Sequence, residues 1–545
     1  MAGARTRHET TIPTVRVALA ALAVLLAVVA VTAGCTASPS SAGSSAQASS
    51  GGTAAGSVVA GTAVPLQGPH PTTLAAYYAQ RLAWVACNKG FQCARLYVPF
   101  DYAHPAGPAF SLPVVRLPAA KPAQRIGALV VNPGGPGGSG VAYALGATSG
   151  EFSQAILDRF DIVGFDPRGV GGSVPALHCV TGSQLDRYFA VNEAPASPGQ
   201  LAAVVSANQG FAQDCARNAR ALLPYVGTAS SARDMDVLRA ALGEPRLTYL
   251  GKSYGTVLGA SYAQQFPSRV RALVLDGAVS PGLSGTDLDI TQAQGFSVAF
   301  GQFASWCATQ TGCPLPADPA AAEAKVSALV TEANAKPLAN VYTKQPADGA
   351  MVLLGIAAAL YSKTAWPYLR DALANAFNAG DGSVLVQLAD DLEERNPNGT
   401  YSNLADVGTA VDCVDWPWPR SLAAWQAAAA TAAQKSPLFG PSLLWSSLSC
   451  AYWSVPASPV LTGPSSQAAH SRKIATPVLV VGDLKDPATP YAWAVTLARW
   501  LRPGVLLGWN GEGHTSYMEG SSCIDAAVDA YLINLTVPRN GTICP

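Results

Sequence analysis

The sequence predicts an α/β fold: a mostly parallel central sheet flanked by helices, with a large helical insertion. Three observations lead there. Short unbroken apolar runs recur, among them Ala128-Leu129-Val130-Val131, Ala272-Leu273-Val274-Leu275 and Val478-Leu479-Val480-Val481. Continuous apolar strands are what a sheet covered on both faces requires. Between Gly277 and about Ser471 this rhythm gives way to Ala-rich helical segments such as 320–334 and 423–434. Finally, Gly251-Lys252-Ser253-Tyr254-Gly255 lies between a β-prone run, Leu247-Thr248-Tyr249-Leu250, and small apolar residues at helical spacing that reach Phe266.

That pentapeptide is a G-x-S-x-G in strand–turn–helix context, which sets a serine at the tip of a sharp turn. Side chains at positions 251 and 255 would crowd strand against helix. The helix that follows aims backbone N–H groups and its positive dipole end at the serine, where an oxyanion would form. A phosphate-binding P-loop ending in Gly-Lys-Ser would need glycine at position 246, and Arg246 stands there. In a chain with 51 glycines the pattern also arises by chance, so its partners must be found elsewhere.

In chain order, Arg5, Arg7 and Arg16 precede an apolar run over 17–33 and then Thr32-Ala33-Gly34-Cys35. This resembles a lipoprotein-type export signal, 1–35, with Cys35 as the lipidated residue; a simple signal peptide or an uncleaved anchor is the alternative. Residues 36–62 are almost all Ser, Ala, Gly and Thr, a flexible tether. The chain has 34 basic and 34 acidic residues, only 12% of residues are charged, and no basic stripe appears, which argues against nucleic acid as a partner. Ten cysteines remain besides Cys35, an even number that suggests disulfides in an exported chain. Connectivity does not follow from sequence; the expectation is sequential pairing, Cys87–Cys93, Cys179–Cys215, Cys307–Cys313, Cys413–Cys450 and Cys523–Cys544, each closing a local loop.

The folded body opens with a helical stretch, 74–87, then a β-prone section to Leu117. After the strand at 128–131 comes the glycine-rich Asn132–Gly140. A dinucleotide fingerprint is possible, but Pro136 stiffens its tight turn. The better reading is an oxyanion loop, with Gly135 bringing a backbone N–H to a scissile carbonyl beside that of Tyr254. Asp161–Asp166 is a strand leading to Arg168, read as a structural ion-pairing residue more than a substrate contact. Residues 180–245 read mostly helical. Two acids, Asp483 and Asp486, follow the strand ending at Gly482. Val505–Trp509 is the last strand, and His514 sits on a glycine-flanked loop beyond it. Only His470 and His514 come after Ser253, and His470 lies before the acids. The order serine, acid, histidine is that of an α/β-hydrolase triad.

Four segments, 132–140 (NPGGPGGSG), 165–173 (FDPRGVGGS), 251–255 (GKSYG) and 273–277 (LVLDG), in this order, resemble secreted bacterial α/β-hydrolase peptidases of the tripeptidyl and prolyl aminopeptidase type. The prolyl enzymes carry HGGPG where this chain has Pro133-Gly134-Gly135-Pro136-Gly137, so the resemblance favours the tripeptidyl branch. It implies an α/β-hydrolase fold with core segments 63–280 and 472–545 and a helical lid, 281–471. Asp486-Pro487-Ala488-Thr489-Pro490 matches the family's D-P-x-T-P, which selects Asp486 over Asp483 as triad acid and puts Thr489 near the substrate. The expected triad is Ser253, Asp486 and His514, acting through an acyl-enzyme without metal or cofactor. An aminopeptidase must neutralise the substrate's α-ammonium, for which Glu151, Asp412 and Asp415 are candidates. The expected partners are peptides with a free N-terminus and, through Cys35, a membrane surface. A carboxylesterase or lipase on the same triad, and a non-enzymatic surface lipoprotein, are the competing readings.

Overall fold

A computed structural model describes residues 70–343, 345–462 and 474–545. The expected signal, Cys35, the 36–62 tether and His470 lie outside the described residues. Ten strands build one sheet: β1 (Val85–Ala86), β2 (Gln92–Pro99), β3 (Ala109–Leu117), β4 (Gly127–Asn132), β5 (Phe160–Phe165), β6 (Leu247–Lys252), β7 (Val270–Asp276), β8 (Val478–Asp483), β9 (Gly504–Trp509) and β10 (Thr542–Cys544). Their spatial order is β1-β2-β3-β5-β4-β6-β7-β8-β9-β10. The pairs from β1 to β5 are antiparallel, and from β5 onward every pair is parallel. Every residue of β4, β5, β6 and β8 is buried, which explains why these strands read as unbroken apolar runs. Crossover helices cover the faces, with Thr228–Ala241 and Gly255–Gln265 packed on one another beside β6.

The opening helix is shorter than its sequence predicts. It ends at Tyr78, and the expected helix over 74–87 gives way to β1. Gln80 explains the break: its amide donates to the carbonyls of Tyr77 and Tyr97, both at 2.8 Å, and accepts from Tyr97 N–H at 3.0 Å. The chain is thereby tied to β2, and tertiary contacts override a weak local propensity. Five disulfides join the cysteines in sequential pairs, as expected.

Between β7 and β8 the described residues form eight α-helices, from Gly285–Ala308 to Gly440–Ser446. The Ala-rich stretches are the helices Pro319–Ala335 and Leu422–Lys435. Phe296, Phe300, Phe303, Trp366 and Leu369 give these helices an apolar core of their own.

Arg168 settles into a structural role. Its side chain is fully buried and grips Asp234 through Nε at 2.7 Å and a terminal nitrogen at 2.5 Å. It also donates to the carbonyls of Phe100, Tyr225 and Pro99. No cation in this pocket could be lost without stranding a buried carboxylate and three carbonyls. Replacing Arg168 by Leu should cost about 3–5 kcal/mol of stability, read from the midpoint of denaturant unfolding; a midpoint matching the unmodified protein would show that the pair is dispensable.

Candidate active site

Ser253 lies at the turn between β6 and the helix Gly255–Gln265, with φ 55°, a left-handed conformation that costs a non-glycine residue energy. The turn is too tight for side chains: a Cβ on Gly251 would stand 2.4 Å from Gly255 O. Ser253 N–H donates to Asp276 O at 2.8 Å, and the Ser253 carbonyl accepts from Thr256 Oγ at 2.7 Å. The glycine loop after β4 lies directly alongside. A Cβ on Gly134 would fall 2.8 Å from Ser253 Cβ, so nothing larger than glycine fits there.

Asn132 Oδ1 accepts the Gly134 N–H at 3.0 Å and so shapes this loop. Among the described residues, the N–H groups of Gly135 and Tyr254 donate to no protein acceptor. Both therefore remain available to an oxyanion at the serine. The Tyr254 ring is fixed away from the site by a hydrogen bond between its hydroxyl and that of Thr228.

The acid and the histidine meet. His514 Nδ1 lies 2.9 and 3.0 Å from the two Asp486 oxygens. The Asp486 carboxylate also accepts from Ala488 N (2.8 Å), Thr489 N (2.7 Å), Thr489 Oγ1 (2.8 Å) and Thr515 N (3.2 Å). Asp483 is separate: it accepts from Lys485 N, and burial pushes its carboxyl up to about 8. Ser253 and His514 line one cavity of about 220 Å³ together with Gly135, Lys252, Tyr361 and Glu519.

Lys252, next to the serine, is buried and donates to Glu519 at 3.1 Å. Burial alone would lower its pKa, but Tyr143, Glu519, Asp276 and Glu151 raise it further, so the ammonium stays charged. His514 also touches the inserted helices. Its N–H donates to Tyr361 O at 2.8 Å, and the Tyr361 ring meets the imidazole edge-on at 5.2 Å between centroids.

The expected substrate contacts disperse. Thr489 does not line the cavity; it holds the Asp486 carboxylate. Both Asp415 oxygens accept Thr228 N–H, at 3.1 and 3.2 Å, at the start of the helix Thr228–Ala241. Asp412 lines a second cavity of about 380 Å³ with Glu193 and Glu393. Glu151 lines a third, of about 550 Å³, on the His514 side.

Sequence reasoning missed Asn132, Asp276, Glu193, Tyr361, Glu393 and Glu519. Asn132 opens the glycine loop and could have been found from its place at the strand end. Glu193 lies in the loop between the helices Gly182–Phe189 and Pro198–Asn218, and Tyr361 and Glu393 directly follow the helices Gly349–Leu360 and Ser383–Leu392, positions fixed by packing that leaves no local signal.

Thr489→Val removes one of several hydrogen bonds to Asp486. It should lower kcat about five- to tenfold with little change in KM, as a bond worth about 1–1.5 kcal/mol implies, and Thr489→Ser should restore it. Asp486→Asn should cost about 10⁴-fold, whereas Asp483→Asn should stay within about twofold. Steady-state kinetics of the purified variants decide, and equal losses at 483 and 486 would contradict this geometry.

Residues 127–521 match a family model described as the alpha/beta hydrolase fold. The chain is 38% identical to serine protease Hip1 of Mycobacterium tuberculosis over 485 residues, covering 85% of this chain and 91% of that protein. It is also 38% identical to carboxylesterase B of the same species, with 88% and 92% covered. Against a tripeptidyl aminopeptidase of Streptomyces coelicolor the identity is 34%, with 82% and 81% covered. The chain belongs to the α/β hydrolase family and is a serine hydrolase related to the tripeptidyl aminopeptidases.

Proposed function

We propose that this enzyme is an exported serine peptidase that removes short peptides from free N-termini through Ser253, His514 and Asp486. The observation that carries the reading is that His514, bonded to Asp486, lines the same cavity as a serine held in a left-handed turn. In this mechanism His514 takes the Ser253 proton as the oxygen attacks the scissile carbonyl. Asp486 fixes the imidazole tautomer and stabilises its charged form. The N–H groups of Gly135 and Tyr254 hold the oxyanion; losing one such donor raises the barrier by about 3–4 kcal/mol. The C–N bond breaks as His514 protonates the leaving nitrogen, and water then hydrolyses the acyl-enzyme.

The amine would be received in the cavity of about 380 Å³ that adjoins the catalytic one at Gly135 and Tyr361. Its wall carries Glu193, Glu393 and Asp412 and no lysine, arginine or histidine. Burial pushes Glu193 up to about 8, and Glu393 and Asp412 up to about 7. An ammonium pairs only with ionised carboxylates. Raising the pH from 6 towards 7.5 therefore strengthens binding, and above about 8 the amine itself loses its proton and binding weakens.

Export and lipidation at Cys35 are part of the proposal. The five disulfides support an oxidising location, and among the described residues no helix is long and apolar enough to cross a membrane. A Cys35→Ser variant should move from the membrane fraction to the soluble one; an unchanged distribution would remove the anchor.

Tripeptidyl aryl amides, free and N-blocked, should be compared with short p-nitrophenyl esters, with Ser253→Ala as control. The free amides should be cleaved, 1/KM should rise between pH 6 and 7.5, and blocking should abolish that limb. Ser253→Ala should lose at least about 10⁴-fold. Activity on esters alone would make the protein a carboxylesterase, and indifference to N-blocking would end the exopeptidase reading.

A further inference from the structure

Two sizeable cavities among those adjoining the one that holds Ser253 differ in what they share with it. The cavity of about 380 Å³ shares Gly135, Tyr361, Leu392 and Leu404, but neither Ser253 nor His514 lines it. The cavity of about 550 Å³ shares His514, Thr515, Tyr361, Ser362 and Glu519, but not Ser253 or Gly135. Acyl transfer assigns the two sides. The imidazole that accepts the serine proton must hand it to the leaving nitrogen, so the leaving group lies against His514. The acyl part of the substrate then runs the other way, past Gly135.

The charges in the His514-side cavity are nearly all spent within the protein. Glu512 is paired with Lys363 at 2.9 Å and with Lys485 at 2.8 Å. Glu519 takes the Lys252 ammonium at 3.1 Å. Glu151 is different: among the described residues its carboxylate accepts no hydrogen bond and has no cation within ion-pair distance, so that burial, which raises its pKa, is opposed only by the more distant Lys252 ammonium. It sits in the wall of this cavity with Tyr368 and Trp509, which supply apolar surface. Glu151 therefore shares a cavity with His514 and not with Ser253 or Gly135.

We propose that the cavity beside His514 is the subsite for the residue directly after the scissile bond, and that Glu151 makes it favour a cationic or uncharged residue over an acidic one. The assignment rests on the acyl-transfer reading given above and deepens it. The same subsite must also receive any amine that competes with water for the acyl-enzyme. Such an amine attacks the ester carbonyl and gives its proton to His514. The bond to Ser253 Oγ then breaks, the serine is reprotonated by His514, and a new amide is released.

That competition supplies the test. The acyl-enzyme is formed from a tripeptidyl p-nitrophenyl ester or aryl amide in the presence of lysinamide, leucinamide or aspartic acid α-amide. The ratio of Nα-acylated product to hydrolysed product is read for each acceptor. Because it is a ratio, it does not depend on how much of a variant folds. Acceptor binding should saturate, and lysinamide and leucinamide should each be preferred to the aspartic amide by about fivefold or more, as one partly screened charge implies. Glu151→Gln should bring the lysine and aspartate ratios within about twofold of each other, and Tyr368→Ala should weaken all three acceptors together. Partitioning that is unsaturable and blind to charge, or a lysine preference that survives Glu151→Gln, overturns the subsite. If no donor is turned over in a Ser253-dependent way, the acyl-transfer reading itself fails, and the subsite with it.

Discussion

Asp276 joins the two halves of the site. Its backbone carbonyl, at the end of β7, accepts the N–H of Ser253 at 2.8 Å. Its fully buried carboxylate accepts the N–H groups of Ser516 (3.0 and 3.1 Å) and Tyr517 (2.9 Å), which lie just beyond His514. A carboxylate with no exposure to water is costly unless its lone pairs are used, and here backbone donors use them. Burial raises its pKa; the Lys252 ammonium and the two N–H groups act in the opposite direction. One residue therefore holds the serine turn with its main chain and the histidine loop with its side chain. The left-handed serine costs about 1–3 kcal/mol, and bonds of this kind on both sides of the turn are what sustain it.

The glycine loop depends on sheet register in the same way. Asn132 in β4 pairs with Gly251 in β6, which sets the residues after each strand side by side. The glycine loop therefore meets the serine turn at Gly134, where an added Cβ would stand 2.8 Å from Ser253 Cβ and 3.2 Å from Tyr254 N. The loop is braced from behind. Asp166, at the end of β5, accepts from Ser139 Oγ at 2.5 Å and from Val141 and Gly172 N–H. The segments 132–140 and 165–173 that stood out in the sequence are thus one structural device. The second fixes the first, and the first lies against the nucleophile.

This explains which parts were legible from sequence. The buried parallel strands announced themselves because every one of their residues faces protein. The serine turn, the glycine loop and the acid loop did so because each demands special residues at fixed spacing. Strands β1 and β10 were not visible. They have two and three residues, and pairing with a neighbouring strand, with a disulfide at each (Cys87–Cys93 and Cys523–Cys544), defines them in place of any pattern of their own. The surroundings of the carboxylates were not legible for a different reason. Asp412 and Asp415 are three residues apart on one helix, yet one faces a cavity and the other caps a neighbouring helix. A spacing of three puts residues near each other without saying what each will meet. Thr489, expected near the substrate from its motif, donates from both its N–H and its hydroxyl to the Asp486 carboxylate.

The inserted helices line part of the Ser253 cavity and also contact the loop that carries His514. Tyr361 accepts the N–H of His514, Ser362 pairs with Gly513 as a single β-bridge, and Lys363 reaches Glu512, which also holds Lys485 in the acid loop. Three consecutive residues of the insertion therefore attach to the loop that carries His514, and through Glu512 to the loop that carries Asp486. Tyr361 also walls all three cavities. A substrate group that displaced this turn would shift the backbone under His514 along with the cavity wall. On the mechanism proposed above, recognition and proton transfer therefore share one turn of the chain. The turn that walls the cavities around Ser253 and His514 also sets where the imidazole sits, so in that mechanism selectivity for what is cleaved is built into the positioning of the group that cleaves it.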